Sequence, residues 1–192
     1  VNDEDEFDAA APPANWAPQI LAFWFDEHGE SDWFSGGPEF DTEVTERFAG
    51  WHEALRGQPV EAFLEHADTA LAAVILFDQV PRNAFRGTAE AFATDHIALG
   101  IAKTAVESGL DAGMTKDQKL FLYLPFEHSE DLNDQRESVR LMSRLGDQRL
   151  LQFALDHQAV IERFGRFPHR NRALGRADRE GEAEAVADGH KW

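Results

Sequence analysis

The chain of 192 residues carries 15 Phe and 5 Trp, no Cys, and 36 Asp or Glu against 18 Lys or Arg. That aromatic content calls for a packed core rather than a disordered chain, and the missing thiols exclude disulfides and thiolate metal sites. A net charge of −18 repels phosphate over most of the surface, so nucleic acid is not an expected partner. Nor is a membrane, because no apolar run approaches the length of about 18 residues that a span needs.

The charge is unevenly spread. Before Arg82 the only Lys or Arg are Arg47 and Arg56, whereas Arg163, Arg166, Arg170, Arg172 and Arg176 crowd a stretch without acids. A cationic pocket inside an acidic shell fits that pattern. So few Lys against so many acids also matches a salt-adapted source, and composition leaves both readings open. Val1 to Asp8 is acidic where a secretory signal would be basic, which makes a cytoplasmic location the default expectation.

In chain order, residues 1–14 read as a mobile acidic tail, 15–176 as a single all-helical domain, and 177–192 as a charged tail or frayed helix. Trp16, Ile20, Phe23 and Trp24 predict a helix to Phe25, with Pro18 in its first turn. Asp26 to Pro38 is predicted to be a loop whose Trp33 and Phe34 plug the core from outside. Pro38 opens the next helix, and Phe40, Val44, Phe48, Trp51 and Leu55 form its apolar stripe. After a turn at Gly57–Pro59, a second stripe from Val60 to Ile75 ends at Asp78, placing an anion in a last helical turn where the macrodipole disfavours it. Arg82 and Arg86 are the local guanidiniums that could relieve it.

A further helix is predicted to open at Thr88 and to close at Gly109. Leu120 to Leu124 reads as a short apolar segment broken by Pro125. Helices follow over Leu132–Leu145 and from about Gln148 to Phe164, the second with Ala154, His157, Ile161 and Phe164 inward. No alternating strand pattern occurs, so the expected fold is all-α, stacked antiparallel helical hairpins. Asp78-Gln-Val-Pro-Arg-Asn83 is echoed by Gly165-Arg-Phe-Pro-His-Arg-Asn171, two helix exits of one chemical type.

Four motifs occur in order: Leu21-Ala-Phe-Trp-Phe25, Asp78-Gln-Val-Pro-Arg-Asn-Ala-Phe-Arg-Gly87, Tyr123-Leu-Pro-Phe-Glu-His-Ser-Glu130 and Arg163-Phe-Gly-Arg-Phe-Pro-His-Arg-Asn171. Together they resemble a bacterial family catalogued as domain of unknown function nine-two-four. The resemblance implies an all-helical, tetratricopeptide-repeat-like fold and no established activity. It also implies an apolar closing helix after Arg176, where this chain instead has Ala177-Asp-Arg-Glu-Gly-Glu182.

Three readings of the polar residues compete. In the first they are structural, pairing across helices and satisfying orphan carbonyls, with His157 a hydrogen-bonded core histidine. In the second, a binding or scaffold protein, they line a pocket for an anionic small molecule or peptide. Its candidate residues are Asp78, Arg82, Asn83, Arg86, Glu127, His128, Arg166, His169, Arg170 and Asn171. Arg82, Arg166 and Arg170 would hold the anion, Asp78 and Glu127 would orient them, and His128 or His169 would tune the site with pH. In the third, an enzyme uses Glu127 and His128 for acid–base chemistry. Against that stands their adjacency, which on a helix points them apart. No Gly-x-Ser-x-Gly, phosphate-binding lysine loop, dinucleotide fingerprint or His-x-x-x-His is present, and neither a cofactor nor a metal is expected. Oligomeric state is open.

Overall fold

The computed structural model describes residues 11–187, and every regular segment among them is helical. The α-helices are α1 (Trp16–Ala22), α2 (Glu30–Ser35), α3 (Pro38–Leu55), α4 (Ala67–Val74), α5 (Val80–Ala84), α6 (Asp95–Glu107), α7 (Lys116–His128), α8 (Leu132–Ser143), α9 (Gln148–Phe164) and α10 (Glu182–Ala187). Of the expected terminal tails, residues 1–10 and 188–192 lie outside the described residues. Among the described residues no helix is long and apolar enough to cross a membrane.

The axis of the fold is one buried rod. α4 runs through a π-helical turn, Ile75–Gln79, directly into α5, and Ala70 through Val80 is buried on every side. A helix apolar all round can only be a core helix, and α1, α3 and α6 pack against this one. α6, α7, α8 and α9 follow as consecutive packed helices joined by short turns. Phe23 stacks on Phe40 at 5.9 Å and meets Phe48 edge-on at 5.0 Å, while Trp24 meets Phe121 of α7 at 5.7 Å.

Several sequence expectations need correction. The helix does not end at Asp78, so the anion sits in the middle of the rod rather than in a last turn. Pro81 has no N–H for the carbonyl of Phe77, and the wider π turn accommodates the ring. The Thr94 hydroxyl donates to that carbonyl at 2.7 Å, and itself accepts from His52 Nε2 at 3.0 Å. Arg82 Nη1 reaches the Asp78 carbonyl at 2.5 Å and Asn83 Nδ2 the Gln79 carbonyl at 2.8 Å. Pro-Arg-Asn thus lies within the last turn of the rod rather than after its end, and the Arg82 and Asn83 side chains add donors to the carbonyls of the turn before.

Pro125 likewise lies inside α7 instead of breaking it. The stretch predicted as loop between Asp26 and Pro38 contains α2, whose Trp33 packs on Phe121 at 4.9 Å and donates its indole N–H to the Trp24 carbonyl at 2.9 Å. Thr88 opens a 3-10 turn, Ala89–Phe92, and the helix proper begins at Asp95. The stripe expected from Val60 is interrupted too, a 3-10 turn over Val60–Phe63 preceding α4, whereas α9 spans Gln148–Phe164 as expected, capped by Asp147 and ended by Gly165 in the left-handed region (φ 68°).

After α9 the chain is held by charge. Glu182 of α10, fully buried, accepts from Arg166 through both oxygens (2.8 and 2.7 Å) and from Asn171 at 2.9 Å. Glu130 pairs with Arg176 and accepts the Phe167 N–H at 2.8 Å, which fixes the 3-10 turn Pro168–Arg170.

Candidate functional site

A cavity of about 720 Å³ opens between α2, α7, α8 and α9, and the buried rod closes its inner end. Phe34, Leu120, Leu124, Leu150 and Phe153 make apolar walls, and Gln79, Arg82, Glu127, His128 and His157 make the polar end. Phe34 and Phe153 are half exposed at the mouth, where an ion pair between Arg149 and Glu30 joins α9 to α2.

The polar end is built around Asp78. Its buried carboxylate accepts from His128 Nδ1 at 2.8 Å and Gln79 Nε2 at 2.6 Å, and lies 3.1 Å from Arg82 Nη1. Burial alone would raise its pKa, but Arg82, His128 and Gln79 together hold it well below the usual carboxylate range. Behind it, Arg82 grips Asp95 through two bonds (2.8 and 2.9 Å), and Arg170 reaches the same carboxylate at 3.3 Å. The two Pro-Arg-Asn corners therefore do converge, on Asp95. Asp78, Asp95, Arg82 and Arg170 form a cluster whose charges cancel.

Glu127 and His128 end α7, and the last carbonyls of that helix are held from outside. Gln135 Nε2 donates to the carbonyls of Glu127 (2.6 Å) and Ser129 (2.7 Å), and Arg170 Nη2 to that of His128 (3.0 Å). Both side chains line the one cavity, contrary to the expectation that they point apart. Burial, then the Asp78 charge, pushes Glu127 up to about 8, so near neutrality it is a carboxylic acid. Its Oε1 lies 3.5 Å from His157 Nδ1, which donates to the Phe153 carbonyl at 2.8 Å. Burial and the Arg82 charge lower His128, against the pull of Asp78, and keep its ring neutral. With Nδ1–H donated to Asp78, Nε2 is the basic nitrogen, and it has no hydrogen-bond partner among the described residues.

The other anticipated residues lie elsewhere. Arg170 is buried between the rings of Phe92 (4.8 Å) and Phe167 (4.6 Å). Burial and then the neighbouring Arg170 lower His169 to about 3, so it does not titrate near neutrality. Arg166 and Asn171 belong to the Glu182 network, and Asn83 and Arg86 face the outer surface, where Arg86 pairs with Asp41. Glu127 orients no arginine. Sequence reasoning missed Gln79, Phe34, Phe153 and Gln135. Phe153 stands four residues before His157, the helical spacing that puts the two on one face of α9. Gln135 carries no such signal.

The chain is 39% identical to the protein of unknown function ATU0120 from Agrobacterium tumefaciens, with a TM-score of 0.85, over 92% of this chain and 99% of that one. No curated protein matches it. A family model described as bacterial protein of unknown function (DUF924) matches residues 20–190. The chain accordingly belongs to that family of bacterial proteins.

Proposed function

We propose that the protein captures a small amphipathic molecule in this cavity, with the apolar body between α2, α7 and α9 and a single anionic head against the polar end. One observation carries the reading: an apolar-walled chamber of about 720 Å³ terminates on convergent polar side chains from the rod, α7 and α9. Because the charges of the floor cancel, the head is held by hydrogen bonds rather than by net charge, which favours a singly charged head over a multiply charged one. Arg82 supplies a cation whose partners occupy part of its fork, and Glu127 adds an O–H donor. A bisphosphate or an acidic peptide would meet no uncompensated cation there, and Arg170 is stacked away from the cavity.

A thermal-shift screen of apolar carboxylic acids, each beside its amide, tests this. A ligand at 100 times its dissociation constant stabilises by about 2.7 kcal/mol, and the carboxylate is expected to exceed its amide. Phe153→Ala, which opens the mouth without touching the polar end, is expected to lower affinity about tenfold. A flat screen across the series overturns the reading.

A further inference from the structure

The floor holds two proton carriers of opposite readiness side by side. His128 has a basic Nε2, because Asp78 occupies Nδ1 at 2.8 Å, and any proton gained there would be stabilised by that same carboxylate. Glu127, the preceding residue, lines the same chamber and carries an acidic proton near neutrality. Asp78 takes only Nδ1 of His128, Ser138 is the one hydroxyl beside the Glu127 carboxyl among the described residues, and Gln135 and Arg170, not these two side chains, hold the backbone of this turn. A binding site alone has no need for an acid and a base together; a molecule that both loses and gains a proton does.

Resting on the binding reading above, we propose that the cavity interconverts the keto and enol forms of an α-keto acid with an apolar side chain, with His128 as base and Glu127 as acid. The carboxylate would meet Arg82, the carbonyl oxygen Glu127 and the apolar group the walls formed by Leu120, Leu124 and Phe153. Nε2 takes a proton from the carbon beside the carbonyl, and the C–H pair becomes the C=C bond. The C=O π pair takes the proton of Glu127, leaving an enol, an imidazolium paired with Asp78, and a Glu127 carboxylate. Reverse transfer, or exchange with water, resets both groups, so nothing else is consumed. Asp78 is a positioning residue, fixing the tautomer and supporting the imidazolium. Besides Asp78, the charged or titratable groups around His128 are Arg82, Asp95, Glu127, Arg170, His157 and His169.

The test is proton NMR in heavy water with phenylpyruvate and α-ketoisocaproate. Saturation transfer reports binding, and loss of the signal beside the carbonyl reports exchange in the same tube. Exchange well above the protein-free rate is expected, falling at least about 100-fold in Glu127→Gln and in His128→Gln while saturation transfer persists. Asp78→Asn should lower the rate and shift its pH profile, an effect that mere loss of folded protein would not produce. Saturation transfer without exchange overturns the inference and leaves the pocket standing. Neither signal overturns both. Exchange that survives both Glu127→Gln and His128→Gln assigns it to other groups and also overturns the proposal.

Discussion

At the scale of single residues, Glu127 has the sharpest thermodynamic consequence. Its native carboxyl keeps its proton up to about 8, whereas an unfolded one releases it near 4.5. Between those limits the native state binds more protons than the unfolded state, so this residue makes stability fall as pH rises, by roughly 5 kcal/mol across the window. Gln keeps the shape and cannot ionise. Glu127→Gln should therefore come close to the wild type near pH 5 and gain on it by roughly 3–4 kcal/mol between there and pH 8, read by urea unfolding at both. Equal stability at both ends would mean that the carboxyl titrates normally. The chemistry of Glu127, His128, Asp78 and Arg82 was visible in the sequence as residue types. Their assembly was not. Adjacent residues near a helix end, where the next turn is pulled away by Gln135 and Arg170, need not diverge as they do mid-helix. Arg166 and Asn171 shared a motif with Arg170, but their partner Glu182 sits in a stretch whose composition looks like a tail.

At the scale of elements, the rod α4–α5 depends on a substitution of partners. Pro81 deprives the Phe77 carbonyl of its usual donor, and the Thr94 hydroxyl fills the vacancy while accepting from Nε2 of His52. Thr94→Val keeps the volume and orphans two buried polar groups, which should cost about 2–4 kcal/mol. Pro81→Ala returns an N–H to the rod. In the double variant part of the loss should be recovered, giving a coupling of about 1 kcal/mol or more by denaturant unfolding. Strict additivity would show that the hydroxyl, not the proline, determines the local geometry. This explains why helix periodicity located α3, α8 and α9 well and failed at the rod. Proline normally ends a helix, and only a distant threonine tells otherwise. α2 was hidden for a different reason: it has barely more than one turn, and Gly29 and its flanking acids read as loop. Its Trp33 gains from packing on Phe121 rather than from local propensity.

At the scale of the whole molecule, two electrostatic effects oppose each other on the surface. A net charge of −18 on a compact chain repels itself and destabilises the folded state. Against this stand ion pairs such as Arg47 with Glu27 and Glu43, Arg56 with Glu90, and Arg86 with Asp41. These are largely exposed pairs, each contributing about 0–1 kcal/mol, and salt weakens them too. The cluster of Asp78, Asp95, Arg82 and Arg170 is mostly shielded from ions and should not respond. Repulsion sums over many charges whereas the pairs act singly, so repulsion should win, and the melting temperature should rise with sodium chloride. The Debye length shortens from about 10 Å at 0.1 M to about 3 Å at 1 M, so a purely screening response is largely complete by a few tenths molar. Calorimetry across that range separates the alternatives. A plateau identifies ordinary self-repulsion. A melting temperature still climbing at molar salt identifies the salt-adapted surface that the scarcity of Lys allows. A fall with the first additions of salt would mean that the exposed pairs outweigh the net charge.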